Sequence, residues 1–205
     1  MPVLVKICGV TSLEQALMIE EAGADAIGLV LYEKSTRHIS LEKAIKIRKA
    51  VSPKMICVAL LVNAQDKFIR SVITELEPDL IQFHGDESAD FCHKYNYPFI
   101  RAIRMRESLD ISVEVESYRP EGGFLFDAWH EDHYGGTGEI FDWDKLPKEV
   151  NFPLILAGGL TPNNVKMAVD VVDPYMVDVS GGVESIPGLK DELKVKEFIR
   201  NAKGI

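Results

Sequence analysis

LILAGGLTPNNV (Leu154–Val165) and MVDVSGGVE (Met176–Glu184) are two stretches in which a short apolar run ends in paired glycines, with one helix-sized connection between them. Gly158-Gly159 and Gly181-Gly182 carry no Cβ, so another backbone or a ligand can approach closely. Exposed N–H groups at such turns, together with Ser180 and the start of a following helix, cradle a phosphate without a basic side chain. Paired at the ends of successive strands, they are what the top of a (β/α)8 barrel requires for a small phosphorylated ligand.

Working outward, six more apolar runs rich in β-branched residues precede these two: Val3–Ile7, Ala26–Leu31, Met55–Val62, Leu80–Phe83, Phe99–Ile103 and Gly123–Phe126. The last two are Leu154–Ala157 and Met176–Val179. Amphipathic helix patterns fill most of the intervals. In SLEQALMIEEAGAD, Ser12 is placed to cap, Gln15 stands at capping-box spacing and Gly23 ends the helix. SLEKAIKIRKAV repeats the pattern from Ser40, with Pro53 as the stop. Further helices are expected over Asp66–Leu76, Glu87–Lys94, Pro162–Val171 and Leu189–Ala202, while Glu107–Arg119 reads equally as strand or short helix. Continuously apolar strands separated by helices imply a parallel sheet covered by helices. Eight of them in 205 residues favour one closed barrel over residues 1–205. The open alternative, a doubly wound sheet, lacks a GxGxxG after the first strand.

The composition narrows the partners. A formal charge of -9 argues against nucleic acid and anionic membranes, though not against an anionic ligand held by backbone amides and one or two arginines. Three irregularly spaced cysteines make no disulfide framework, no apolar run reaches spanning length, and VLVKICG is no signal peptide. A cytoplasmic protein is expected, as a monomer or a homodimer.

The strand ends gather polar groups: Cys8, Arg37 in the loop after the second strand, Asn63, His84-Gly85-Asp86, Arg101 to Arg104, and Asp127. If Cys8 faces the mouth, strand parity sends Lys6 into the barrel one pleat deeper, where it needs a carboxylate such as Asp178. Asp127 is followed by WHEDHYGGTGEIFDW, whose Gly135, Gly136 and Gly138 suit a pliable lid. Asp127, His130 and His133 imitate a metal spacing, but they lie in a loop rather than on one helical face, and no metal is expected.

Together, KICGVT (Lys6–Thr11), YEKSTRHIS with its Ser-x-Arg, IQFHGDE (Ile81–Glu87), GGTGEIFDW (Gly135–Trp143) and the two glycine stretches resemble the phosphoribosylanthranilate isomerase family. The resemblance runs from the first strand to GLKDELKVKEFI, nearly the whole chain. It implies a (β/α)8 barrel of tryptophan biosynthesis that performs a cofactor-free Amadori rearrangement of N-(5-phosphoribosyl)anthranilate to 1-(2-carboxyphenylamino)-1-deoxyribulose 5-phosphate. It further implies Cys8 as general base, Asp127 as general acid, Arg37 as a substrate-holding arginine and the glycine turns as phosphate loops. His84 would border the pocket.

The chemistry suits those residue types. Ring opening needs a proton on the ribose ring oxygen, from a carboxyl that keeps its proton near neutral pH. The iminium so formed acidifies the C2 proton, which a thiolate removes. Arg37 matches the anthranilate carboxylate with its planar fork. Three departures from the family pattern stand out: Ser180-Gly181-Gly182 where members usually have Ser-Ser-Gly, CVALLVNAQ in place of VGVFVN, and no proline before Arg37. They bear on affinity rather than reaction class. Of the alternatives, the histidine-pathway isomerase expects an aspartate at Cys8 and a second carboxylate at strand five. A pentose-phosphate epimerase expects metal-binding histidines. A non-catalytic phosphate-binding barrel has no use for Cys8 and Asp127 at separate strand ends.

Overall fold

A computed structural model describes residues 2–105, 111–128, 142–147 and 150–205. Eight strands close on themselves in sequence order: β1 (Leu4–Cys8), β2 (Ala26–Val30), β3 (Ile56–Leu61), β4 (Leu80–Phe83), β5 (Phe99–Met105), β6 (Phe124–Ala128), β7 (Leu154–Leu156) and β8 (Met176–Val179). All neighbours run parallel, and β1 closes the ring against β8 with Leu4 opposite Met176 and Lys6 opposite Asp178. Every apolar run became a strand, with ends shifted by at most two residues.

The helices are α1 (Leu13–Glu21), α2 (Leu41–Ala50), α3 (Asp66–Ser71), α4 (Ala89–His93), α5 (Ile111–Tyr118), α6 (Val165–Val172) and α7 (Glu192–Lys203). Ser12 and Ser40 cap α1 and α2 by accepting the N–H of Gln15 and of Lys43. Gln15 does not close a capping box. Its amide turns away to Thr11 Oγ1 and the Gly188 carbonyl, and its Oε1 accepts from Lys190 N, because a loop from the far end of the chain packs there. The last turn expected of α3 widens into a π-helix over Val72–Leu76, ending at Glu77 with φ of 49°. The ambiguous segment is helical from Ile111, and residues 106–110 lie outside the described ones.

The start expected for the last helix is a correction. Leu189–Lys190 is a strand, β10, paired antiparallel with β9 (Glu184–Ile186), and α7 begins only at Glu192, capped by Asp191. This hairpin follows β8 directly and carries Glu184 and Lys190 to the mouth of the barrel.

Strand parity splits the core. Odd residues of β1 and β5, such as Val5, Ile7, Phe99 and Ile103, pack outward with Ala16, Ile19 and Phe198 of the helices. Even residues of those strands face in, where Ala26, Val58, Ile100, Leu125, Ile155 and Met176 form an apolar floor. Above that floor the interior turns polar: Lys6 and Gln82 are fully buried and Asp178 is buried. Higher still, Cys8, Val30, Leu60 and Val62 form a small apolar wall at the mouth. The floor stabilises the barrel, and the layers above it are free for chemistry.

Candidate active site

The C-terminal mouth holds two adjoining clefts. One is lined by side chains: Cys8 from β1, Arg37 and Ser35 from the loop after β2, Gln82 and His84 from β4, Asp127 from β6, and Asp178 and Ser180 from β8. The other is lined largely by main chain: Gly158, Gly159, Leu160 and Thr161 after β7, and Ser180, Gly181 and Gly182 after β8. Asp127, Asp178 and Ser180 border both clefts. Cys8, Arg37, His84, Asp127, Ser180 and the paired glycines of both turns therefore meet in one continuous depression.

In the backbone-lined cleft, Gly158 and Gly159 have φ of 79° and 63°, in the left-handed region that side chains resist. A Cβ on Gly182 would lie 1.9 Å from the Leu160 carbonyl oxygen, so only glycine lets the two turns touch. Gly181 is exposed and has no positive φ, so its backbone conformation does not demand glycine. The loop after β7 is braced by Asn164, whose Oδ1 accepts from Thr161 N at 2.7 Å while its Nδ2 donates to the Gly159 carbonyl.

The side-chain cleft rests on a buried chain of polar groups. Lys6 Nζ donates to Asp178 Oδ1 at 2.8 Å and to Gln82 Oε1 at 3.0 Å. Gln82 Nε2 lies 2.8 Å from His84 Nδ1. His84 Nε2 stands 3.4 Å from Asp127 Oδ2 but is too poorly aligned for a hydrogen bond, and among the described residues it has no other partner. Asp127 Oδ1 accepts from the N–H of Ala128 at 2.9 Å. The inward lysine and its Asp178 partner are thus as the strand parity required. Burial pulls Lys6 down and Asp178 and Cys8 outweigh it, leaving the ammonium favoured.

Cys8 sits on the apolar wall. Burial pushes its thiol above the ordinary cysteine range, Lys6 and Lys190 pull it back, and Asp178 opposes them. The lysine does not produce a standing thiolate, because dehydration of the sulfur outweighs the nearby charge. Gly28 on the facing strand explains how the sulfur fits: a Cβ there would lie 2.7 Å from Cys8 Sγ. Cys57 and Cys92 pack outside the barrel, where burial drives each thiol up to about 12, and all three cysteines are free.

Arg37 is anchored rather than free. Its Nε and Nη2 each donate to the Glu184 carboxylate at 2.8 Å, and Lys190 Nζ donates to the same carboxylate at 2.7 Å. Glu184 takes two of the five guanidinium donors and leaves the far edge for a ligand. Two basic side chains share one carboxylate, which concentrates positive charge at this corner of an acidic protein.

Two expected mouth residues turn elsewhere. Arg101 has odd parity on β5 and points outward, where it pairs with Glu87 at 3.0 Å and lies over the Tyr118 ring of α5. Asn63 is exposed and bonds Asp86 through both its amide groups, tying the loops after β3 and β4 together. His130, His133 and the expected lid over residues 129–141 lie outside the described residues.

Gln82, Gly28, Glu184 and Lys190 went unnoticed in the sequence. Two of them left a signal: Gln82 shares the parity of His84, and Gly28 is a lone glycine inside a strand, a mark of close backbone approach. Glu184 and Lys190 left none, since their role depends on the hairpin.

Comparison with known proteins agrees with this geometry. The family profile described as N-(5'-phosphoribosyl)anthranilate (PRA) isomerase matches residues 5–201. The N-(5'-phosphoribosyl)anthranilate isomerase of Geobacter sulfurreducens is 49% identical over 205 residues, covering 98% of this chain and 99% of its own. The enzyme of that name from Pseudomonas fluorescens is 46% identical, with coverage of 97% and 96%. The crystal structure of the Thermotoga maritima isomerase superposes with a TM-score of 0.86 at 39% identity, over 99% of this chain and 100% of that one. A second phosphoribosyl anthranilate isomerase structure, holding reduced 1-(o-carboxyphenylamino)-1-deoxyribulose 5-phosphate, has a TM-score of 0.83 with the same identity and coverage. By its closed eightfold barrel, its glycine turns and its full-length match, this chain belongs to the N-(5'-phosphoribosyl)anthranilate isomerase family.

Proposed function

We propose that this enzyme carries out the Amadori rearrangement of N-(5-phosphoribosyl)anthranilate with Asp127 as general acid and Cys8 as general base. The observation that carries the reading is that Asp127 borders both clefts while Cys8 stands in the one lined by side chains. A substrate with a phosphate at one end and an aromatic carboxylate at the other then spans the two clefts, with its ribose beside Asp127. The phosphate takes the N–H groups of Gly158, Gly159, Gly181 and Gly182 and the hydroxyl of Ser180. The anthranilate carboxylate takes the free edge of Arg37.

Asp127 gives its proton to the ring oxygen as the anthranilate nitrogen pushes its electron pair toward C1 and the C1–O bond breaks. The product is an open-chain iminium. Cys8 then removes the C2 proton, the electron pair moves to the iminium, and an enolamine forms. The Cys8 thiol then returns a proton to C1 while the C2 hydroxyl gives its proton to the Asp127 carboxylate, which leaves the ketone, restores both groups and needs no cofactor. The raised thiol costs little at the moment of need, because the cationic iminium appears beside it and favours the thiolate. His84 lines the cleft above Gln82 and faces the acid. Small size and backbone recognition make a phosphorylated metabolite the partner.

The test is turnover followed by substrate fluorescence with Cys8→Ser and Asp127→Asn. Each variant should lose about 10³-fold in kcat while retaining its circular dichroism and keeping KM within a few fold. Near-normal kcat in either variant removes that residue from the chemistry.

A further inference from the structure

His84 has two ring nitrogens, and the groups on one side of it decide which carries the proton. Lys6 ends in an ammonium, which only donates. Gln82 must therefore turn its Oε1 toward Lys6, at 3.0 Å, and this fixes the carboxamide. Its Nε2, also donor only, is then the atom 2.8 Å from His84 Nδ1. Nδ1 must accept, so it is bare, and the ring proton stands on Nε2, which is buried, without a hydrogen-bond partner among the described residues, and 3.4 Å from Asp127 Oδ2. Asp178 fixes the start of the sequence by holding Lys6 at 2.8 Å. The order of donors and acceptors thus runs one way from β8 through β1 and β4 to β6, with no freedom in it.

We propose that Gln82 is a positioning residue that acts through His84 to protect the proton of the catalytic acid, an inference that rests on the reading of Asp127 given above. A neutral imidazole with bare Nε2 beside a carboxyl would take its proton and leave a carboxylate and an imidazolium, disarming the acid before substrate reacts. With Nε2 already protonated and Nδ1 closed by the Gln82 amide, His84 has no place to accept that proton. When Asp127 has delivered its proton to the ring oxygen, the new carboxylate lies 3.4 Å from the Nε2–H, whose positive edge stabilises the charge electrostatically without an aligned hydrogen bond. No proton is gained or lost by His84 in the cycle.

The experiment is ¹⁵N NMR of the imidazole rings in the unliganded enzyme near neutral pH, with the His84 signals assigned by their loss in His84→Asn. The expected result is a neutral ring protonated at Nε2 and bare at Nδ1. Gln82→Glu places a carboxylate acceptor between Lys6 and Nδ1 and should move the ring proton to Nδ1 or charge the ring. That variant should lose at least about tenfold in kcat with KM within about twofold. Gln82→Met, which fills similar space without polar atoms, should give mixed tautomers and a smaller loss of kcat. A wild-type ring protonated at Nδ1, or a tautomer reversed in Gln82→Glu with kcat intact, overturns the role of Gln82. Asp127→Asn, measured alongside, separates the two readings: full activity there overturns the acid assignment whatever the ring shows. Loss of activity there with the wrong wild-type tautomer overturns only the inference about Gln82.

Discussion

The two clefts at the mouth are built from opposite materials. Around Gly158, Gly159, Gly181 and Gly182 the wall is main chain, and its specificity comes from the absence of side chains: a Cβ on Gly182 would lie 1.9 Å from a carbonyl oxygen. Around Cys8, Gln82, His84 and Asp127 the wall is side chains from three strands, and its specificity comes from the order of donors and acceptors among them. An anion handle tolerates such simplicity because N–H groups carry no protonation state. Acid–base chemistry cannot, since its groups must hold and release protons in a set order.

The comparison predicts that changes in the side-chain cleft act on kcat and changes at the ligand-holding edges act on KM. Among changes that touch no reacting group, the largest effect belongs to Gly28→Ala, which sets a methyl 2.7 Å from Cys8 Sγ. Displacing the sulfur by a fraction of an ångström or more should cost about a hundredfold in kcat, read in steady-state turnover, with KM little changed. Unaltered kcat would mean that the position of Cys8 is unimportant.

Next comes the pH profile. Burial raises the Cys8 thiol, so the active, deprotonated base is a minor species at neutral pH and grows as pH rises toward that pKa. kcat/KM should therefore climb by about tenfold per pH unit above neutrality on the limb set by Cys8, and continue beyond the ordinary thiol range. A limb that levels off near neutrality contradicts a raised thiol acting as base.

Arg37→Ala should raise KM by about tenfold with kcat within about threefold, if the free edge of the guanidinium supplies uniform binding to the anthranilate carboxylate. The alanine also leaves Glu184 with Lys190 alone, so a parallel loss of thermal stability is expected in a melting curve. An unchanged KM would reject the binding role. The smallest effect is Gly181→Ser, at an exposed site without positive φ. A hydroxyl added there should lower KM by about fivefold or less, the worth of one hydrogen bond. A rise in KM would show that the backbone-lined cleft has no room for it.

Different parts of this layout were legible in the sequence to different degrees. The strands were readable because a parallel sheet buried on both faces writes uninterrupted apolar runs. The glycine turns and the Lys6–Cys8 parity were readable because they are local. Arg101 was misread as a mouth residue because nearness to a strand end does not state parity, and odd parity carries it outward beneath Tyr118. The start of α7 was misplaced because Leu189–Lys190 fits a helical pattern equally well until a partner strand is present. Gln82 gave only a weak sign, since a lone polar residue in an apolar strand does not name what it will meet.

By itself the sequence determined the alternation of strands and helices, the two glycine handles, the inward lysine and the residues offered at most strand ends, each a matter of neighbours a few positions apart. Tertiary structure alone decided the contacts that make those residues a site. Lys6 meets Gln82 across 76 positions and Asp178 across 172, and Arg37 meets Glu184 across 147. Such pairings exist only once β1 has closed against β8, because the closure fixes which inward side chains share a layer, and the layer fixes which of them must donate and which must accept.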